Sequence, residues 1–347
     1  MKTLKIPQLT KSLIACKTTS DNTSLSKALQ IVHQITRTDG LQSQILDNEG
    51  NKMIWISNHT FNQPDLLILG HMDVVAAPPE LFVPKEKDGK IFGRGAFDMK
   101  GPIAAMVSAV TEAKTSKNIQ LLITSDEEVG GTKCARWFFE KKGIVPRIAI
   151  VPDGIEANQT IVKQKGPWHF VITAKGISTH GSHPWEGKNP IQTLVRIINR
   201  IDCSEKQALK TSDWLPTFTV TNIEAKSSIN QLPTSAQMTV DIRTTNQQQI
   251  SRIKHIIKEE NAVITKLYGD GRIFIQKETE VIKQWQKLTG FRAAISPGAS
   301  DARHIPSSTD VIVTQTLGAD AHGLHEWVDI ESLAKLAAVT KLFINKL

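Results

Sequence analysis

Ile119-Gln120-Leu121-Leu122-Ile123-Thr124-Ser125-Asp126-Glu127-Glu128-Val129-Gly130-Gly131 is the stretch on which the fold turns. Its first part, Ile119 to Ile123, reads as a buried strand. Three adjacent acids and then two glycines follow where the strand gives way to a loop. Adjacent carboxylates repel one another, which costs stability unless a cation or a proton offsets it. Open α/β sheets bind their ligands at the carboxyl ends of strands, so acids gathered there mark a candidate site.

The neighbouring segments repeat the pattern. Leu66-Leu67-Ile68-Leu69 is a strand without a polar residue, as expected for burial on both faces, and it runs into Gly70-His71-Met72-Asp73-Val74-Val75. A polar, Pro-containing loop leads to Gly93-Arg94-Gly95-Ala96-Phe97-Asp98-Met99-Lys100-Gly101. Pro102 then fits the first turn of a helix with Ile103, Met106, Val107 and Val110 on one face. After the double glutamate, Thr132 to Lys141 predicts a helix, and Ile148 to Val151 a strand ending in Pro152-Asp153-Gly154. Ser24 to Ile35 has helical spacing, and Met53 to Ser57 alternates like a strand.

The texture changes near Gly166. Strands are expected over Trp168 to Ala174, Thr217 to Ile223, Ala236 to Ile242 and Arg272 to Ile275, with helices carrying Ile191, Leu194, Val195 and Ile198, and Ile250, Ile253 and Ile257. Two helices against a mostly antiparallel sheet make a small α+β domain. Beyond it come a helix over Glu278 to Thr289, the run Pro297 to His304, and a strand over Asp310 to Thr316. Ala321-His322-Gly323-Leu324-His325-Glu326 follows, and then a last helix N-capped by Asp329. The expected organisation is a metal-binding catalytic domain over 1–165 and 276–347, interrupted by an insert over 166–275.

With 347 residues, the chain exceeds what one core usually serves. Its formal charge of +8 is scattered, without an Arg/Lys run interleaved with aromatics, which argues against a nucleic-acid partner. The three cysteines, Cys16, Cys134 and Cys203, show no metal or redox spacing, so a reducing cytoplasm is expected. Met1 to Thr10 does not read as a signal peptide, and no apolar run approaches the roughly 18 residues that span a membrane.

His71, Asp98, Glu127, Glu128, Asp153 and His322 all fall at strand ends or in the loops after them. Histidine with carboxylates suits zinc, with manganese or cobalt as substitutes. Four carboxylates exceed the needs of one tetrahedral zinc; two ions sharing a bridging carboxylate would use them. A lone His after a strand is usually structural and a lone Asp-Gly usually a turn, so the signal is their joint recurrence at one sheet edge.

Gly70 to Val75, Gly93-Arg94-Gly95 with Asp98-Met99-Lys100-Gly101, and Ser125-Asp126-Glu127-Glu128 together resemble the co-catalytic zinc amidohydrolases and exopeptidases. That family includes succinyl-diaminopimelate desuccinylase, acetylornithine deacetylase, aminoacylase and glutamate carboxypeptidase. The resemblance spans nearly the whole chain. It implies an α/β fold with a mixed, largely parallel sheet flanked by helices, and an inserted α+β lid or dimerisation domain. It implies two Zn2+, one held by His71 and Asp153, the other by Glu128 and His322, with Asp98 bridging; the peptide after that bridging acid is often cis. Asp73 would orient His71, and Glu127 would be the general base. His322 and His325 compete for one ligand position, with His322 preferred; Asp126 has no role beyond the turn.

In the insert, Lys175-Gly176 followed by His180 resembles a lid motif whose histidine stabilises the oxyanion, often in a partner subunit's site. His183 reads as a polar loop residue. Asn230 and Arg243 resemble substrate contacts, and Arg303 in Ser300-Asp301-Ala302-Arg303 would read a second carboxylate. For Arg243 an exposed strand-edge charge is an equal alternative. The expected activity is hydrolysis of an N-acyl amino acid by activated water, in a homodimer formed through the insert and without membrane attachment. A dipeptidase or carboxypeptidase of the same family is the alternative, and a non-catalytic binding protein on this scaffold a remote one.

Overall fold

The computed structural model describes residues 5–19, 22–154, 157–204, 206–210 and 213–347. Residues 1–4, within the segment read above for a leader, and the side chain of Cys203 lie outside the described residues. The strands Leu66–His71 and Ile119–Thr124 are buried throughout and pair in parallel, Leu66 opposite Ile119. On its other side Leu66–His71 pairs in parallel with Ile148–Val151, which pairs in parallel with Asp310–Val313. Two antiparallel strands, Asn51–Ser57 and then Gln42–Asn48, extend the Ile119–Thr124 side. The result is a mixed sheet with a parallel centre, flanked by helices.

Continuous apolar runs produce this centre because both faces are covered. Leu66, Ile68, Ile119, Leu121 and Ile123 join one core with Leu13, Leu29, Ile103, Met106, Val107, Leu333 and Leu336 from helices. Leu67, Leu69 and Leu122 alternate to the opposite face. There Phe138 of helix Ala135–Lys142 meets Trp55 edge-on, and Trp55 Nε1 donates to Gln120 Oε1 at 2.8 Å. Helix Gly101–Glu112 links Leu66–His71 to one neighbouring strand, and helix Ala135–Lys142 leads from there to the strand on the other side. In sheets of this kind, ligands bind at such a reversal of strand order, outside the carboxyl ends of the strands.

The chain divides into two compact units. One comprises Met1–Val162, Ile275–Ala294 and Ser300–Leu347; the other comprises Lys163–Phe274 and Ile295–Ala299. The second contains an antiparallel sheet in the order Thr217–Ala225, Ser235–Thr244, Gly166–Lys175, Ala262–Tyr268. Leu194 and Ile197 of Pro190–Ser204, and Ile253 and Ile257 of Gln247–Glu259, bury Phe170, Ile172, Met238 and Val240 on one face.

Several elements depart from the sequence expectations. Ala262–Tyr268 is an additional strand, and the strand expected over Arg272 to Ile275 shrinks to Phe274–Ile275. Ala262–Tyr268 lies at a sheet edge with most of its residues exposed, so burial writes little pattern into it. The polar loop after Val75 contains a hairpin, Lys85–Lys87 with Lys90–Phe92, turned by Asp88 and Gly89 at φ +50° and +73°. Lys90–Phe92 also pairs with Trp327–Asp329, a junction that matters for the site.

Candidate metal centre

The central strands deliver their terminal residues to one place. His71 ends Leu66–His71, Glu127 and Glu128 follow Ile119–Thr124 in a short turn, and Asp153 follows Ile148–Val151. Gly70 sits where a Cβ would meet Met99 Cε at 2.9 Å, so the chain before His71 can lie close to the Asp98 turn. The Asp98–Met99 peptide is cis. Ligand atoms of His71, Asp98 and Glu128 lie within 4.8 Å of one another, as do those of His71, Glu127 and Asp153.

Asp98 lies between the two histidines. Its Oδ1 is 3.1 Å from His71 Nε2, and its Oδ2 is 3.3 Å from His322 Nε2. His322 Nε2 is also 3.1 Å from Glu128 Oε2, and His71 Nε2 is 4.0 Å from Asp153 Oδ2. It is therefore His322 that faces the acids, while the backbone N–H of exposed His325 donates to Asp320 Oδ2 at 2.7 Å. His71 Nδ1 lies 3.0 Å from the main-chain oxygen of Asp73 and 3.5 Å from its carboxylate. That carboxylate takes the Glu128 N–H through Oδ2 at 3.0 Å.

These contacts fit a bound cation. The Asp73 carbonyl can only accept, so His71 Nδ1 donates and a neutral ring turns the lone pair of Nε2 toward Asp98 and Asp153. A lone pair facing carboxylate oxygens is repulsive unless a proton or a metal ion lies between them. Among the described residues, Glu128 Oε1 is buried without a hydrogen-bond partner. Without a metal, protons take the role. Burial acts to lower the His71 pKa, but hydrogen bonds to Asp73 and Asp98 hold it well above the usual histidine value. Hydrogen bonds to Asp98 and Glu128 push His322 to about 10. Burial and then the Asp98 charge raise Asp153 well above the carboxylate range. Burial acts to raise Asp98, but its hydrogen bonds to His322 and His71 hold it below that range.

Glu127 is the acid with a cationic neighbour of its own. Arg303 Nη1 lies 3.3 Å from Glu127 Oε1 and donates to the Ser300 carbonyl at 2.7 Å. Burial pushes the Glu127 carboxyl up to about 7; His71 and Arg303 oppose the rise, and Glu128 and Asp98 add to it. Asp126 serves the turn, as the sequence suggested. Its carboxylate accepts the Lys133 and Cys134 amides at 2.7 and 3.2 Å, which fixes the turn before helix Ala135–Lys142.

Arg94 and Glu326, read above only as parts of motifs, form a buried pair at 2.6 Å beside Asp98. Their isolated charges gave no signal in the sequence, because the partners are far apart along the chain. In the second unit, His180 pairs across a bridge with Gln231, and its Nδ1 meets Ser182 Oγ at 2.7 Å. Its Nε2 is 3.5 Å from the Asn230 amide nitrogen. Arg243 forks onto Asp241 through two contacts of 2.8 Å.

Residues 67–346 match the family model described as peptidase family M20/M25/M40. The chain belongs to that family. As an M20 member it has curated relatives along nearly its whole length. A succinyl-diaminopimelate desuccinylase from Rickettsia africae (strain ESF-5) is 28% identical, over 92% of this chain and 94% of that protein. Among solved structures, a tripeptidase from Staphylococcus aureus subsp. aureus Mu50 superimposes with a TM-score of 0.80 at 17% identity, covering 99% of this chain and 97% of that one. A Bacillus subtilis protein described as a dinuclear metal binding peptidase from the M20 family gives 0.64 at 14% identity, covering 98% and 97%. Identities this low show a shared fold. No helix among the described residues is long and apolar enough to cross a membrane.

Proposed function

We propose that this M20 protein is a two-metal amide hydrolase acting on N-acyl amino acids, with zinc as its native metal. The observation that carries the reading is Asp98, whose two oxygens face His71 on one side and His322 on the other. His71, Asp98 and Asp153 would hold one ion, and Asp98, Glu128 and His322 the second. When bound, the metals supply Lewis acidity that polarises the amide carbonyl and makes water acidic near neutral pH.

The chain's own groups do the rest. Glu127 takes the proton from the attacking water and returns it to the departing amine. Arg303 steadies the Glu127 carboxylate. Asp73 orients His71 through its main-chain oxygen, which keeps Nε2 free as a ligand. From the second unit, His180 is proposed as the oxyanion donor and Asn230 and Arg243 as substrate contacts, with a homodimer formed through that unit. Arg303, besides serving Glu127, is proposed to read a second carboxylate of the substrate.

The full-length likeness to a desuccinylase favours an N-acyl substrate over a peptide. Zinc-loaded protein is to be assayed against N-succinyl-diaminopimelate, N-acetylornithine, other N-acyl amino acids and dipeptides. Preferential release of acyl groups supports the proposal. Preferential cleavage of dipeptides would replace it with the peptidase reading, and no amide cleavage at all would remove the hydrolase.

A further inference from the structure

Arg94 and Glu326 lie 232 positions apart and touch no group that the proposed reaction uses directly. Their contacts nonetheless end on the two loops that carry Asp98 and His322. Glu326 Oε2 accepts Arg94 Nη1 at 2.6 Å and the Gly95 amide at 3.0 Å. Its Oε1 accepts the Phe97 and Asp98 amides at 3.0 and 3.1 Å. Arg94 Nη2 donates to the carbonyls of His322 and Gly323 at 2.9 and 3.1 Å. One ion pair thus binds the main chain of both loops. We infer that Arg94 and Glu326 form a positioning clamp that sets His322 against Asp98, so that one of the two metal ions is held tightly only while both loops are tied.

The inference rests on the ligand set proposed above and adds the residues that place it. Two features make a placement role fit better than a stabilising one. The first is that His322 sits at φ +65°, a left-handed conformation that is costly for a non-glycine residue. Arg94 grips its carbonyl, and Gly323 beside it has no room for a Cβ, which would fall 2.1 Å from the Asp320 carboxylate. The second is that both members of the pair are almost wholly buried. A buried ion pair is a poor source of stability compared with packed apolar groups, because both charges lose their hydration. Here the pairing also continues a strand ladder. Phe92 lies opposite Trp327, and the Gly93 amide donates to the Glu326 carbonyl at 3.0 Å. The ladder brings the loops together, and the side-chain clamp fixes where Asp98 and His322 stop.

The test is calorimetric titration of Zn2+ into metal-stripped wild type, R94K, E326Q and the double variant, with circular dichroism and the melting temperature of each apoprotein. Lysine keeps the charge but lacks the fork that reaches Glu326 and two carbonyls at once. Glutamine keeps the shape but turns an amide NH2 toward existing donors. Wild type should bind two equivalents. Each single variant should weaken the equivalent that His322 helps to hold by about 10–100-fold, the range typical for groups that orient metal ligands, and the equivalent held with His71 by clearly less, since only Asp98 is common to both. The double variant should be no weaker than the weaker single, since either change releases the same clamp. E326D keeps the ion pair but shortens its reach to the Phe97 and Asp98 amides, and it gives the same reading should E326Q not fold. Two tight equivalents in the folded variants overturn the clamp, as do additive losses in the double. Equal loss of both equivalents in step with a falling apoprotein melting temperature also overturns it, in favour of a purely structural pair. If wild type itself does not bind two equivalents, the proposed metal centre fails and not the clamp.

Discussion

Glu127 and Glu128 are adjacent in sequence but differ in their surroundings. Glu128 Oε2 faces His322, whereas Glu127 is paired with Arg303. Replacing Glu127 by Gln should therefore lower kcat by about 10²–10⁴-fold, the usual worth of a positioned base. Zinc binding measured by calorimetry should stay near wild type. Wild-type turnover in that variant would remove the base assignment. The titrating groups also set a pH dependence. His71 and His322 bind protons more tightly in the folded apoprotein than in the unfolded chain, His322 up to about 10. The stability they add is fully present below their unfolded pKa of about 6.5 and is lost as pH rises through the folded values. Glu127, raised to about 7, works in the same direction, because its folded carboxyl keeps a proton the unfolded one has lost. The apoprotein melting temperature should thus fall between pH 6.5 and 9 by more than that of the zinc-loaded protein. Zinc affinity should rise over the same interval as the metal displaces protons. An apoprotein that loses no more stability than the zinc-loaded protein over this interval would contradict the site's electrostatics.

The three central strands were legible because burial on both faces writes an unbroken apolar run, as in Leu66 to Leu69, Ile119 to Ile123 and Ile148 to Val151. The acids and histidines at their ends were legible because ligand-type residues recur at corresponding places in the sheet. What escaped had no such pattern. The Gln42–Asn48 and Ala262–Tyr268 strands are edges with exposed faces. The Lys85–Phe92 hairpin is carried by a polar turn, and the Arg94–Glu326 pair depends on chain closure across most of the molecule. Within the glutamate turn the element itself makes a prediction. Gly131 has φ +65°, and a Cβ there would lie 2.0 Å from Asp301 Oδ1. Gly131→Ala should cost more than the about 1–2 kcal/mol of left-handed strain alone and lower turnover with it, as read by denaturant melts and kinetics. Unchanged stability would mean that Asp301 is free to move. At the last helix, Asp329 Oδ1 accepts the Ser332 amide at 2.7 Å, so Asp329→Ala should cost about 1 kcal/mol without changing zinc stoichiometry.

For the whole molecule, the metals and the fold are coupled by mass action. An ion present at 1,000 times its Kd stabilises the folded state by about 4 kcal/mol if the unfolded chain does not bind it. Stripping zinc with a chelator should lower the melting temperature, and restoring zinc should recover it. A two-metal centre organised by Asp98 makes amide hydrolysis in this M20 fold depend on both ions. Its most direct test is the rate of acyl release from the best N-acyl amino acid as zinc is titrated into the apoprotein, for wild type and Asp98→Asn. Wild-type activity is predicted to start near zero, rise with added zinc and level off at two equivalents, with Asp98→Asn inactive throughout. Full hydrolysis in the chelated apoprotein, or wild-type rates in Asp98→Asn, would contradict the account.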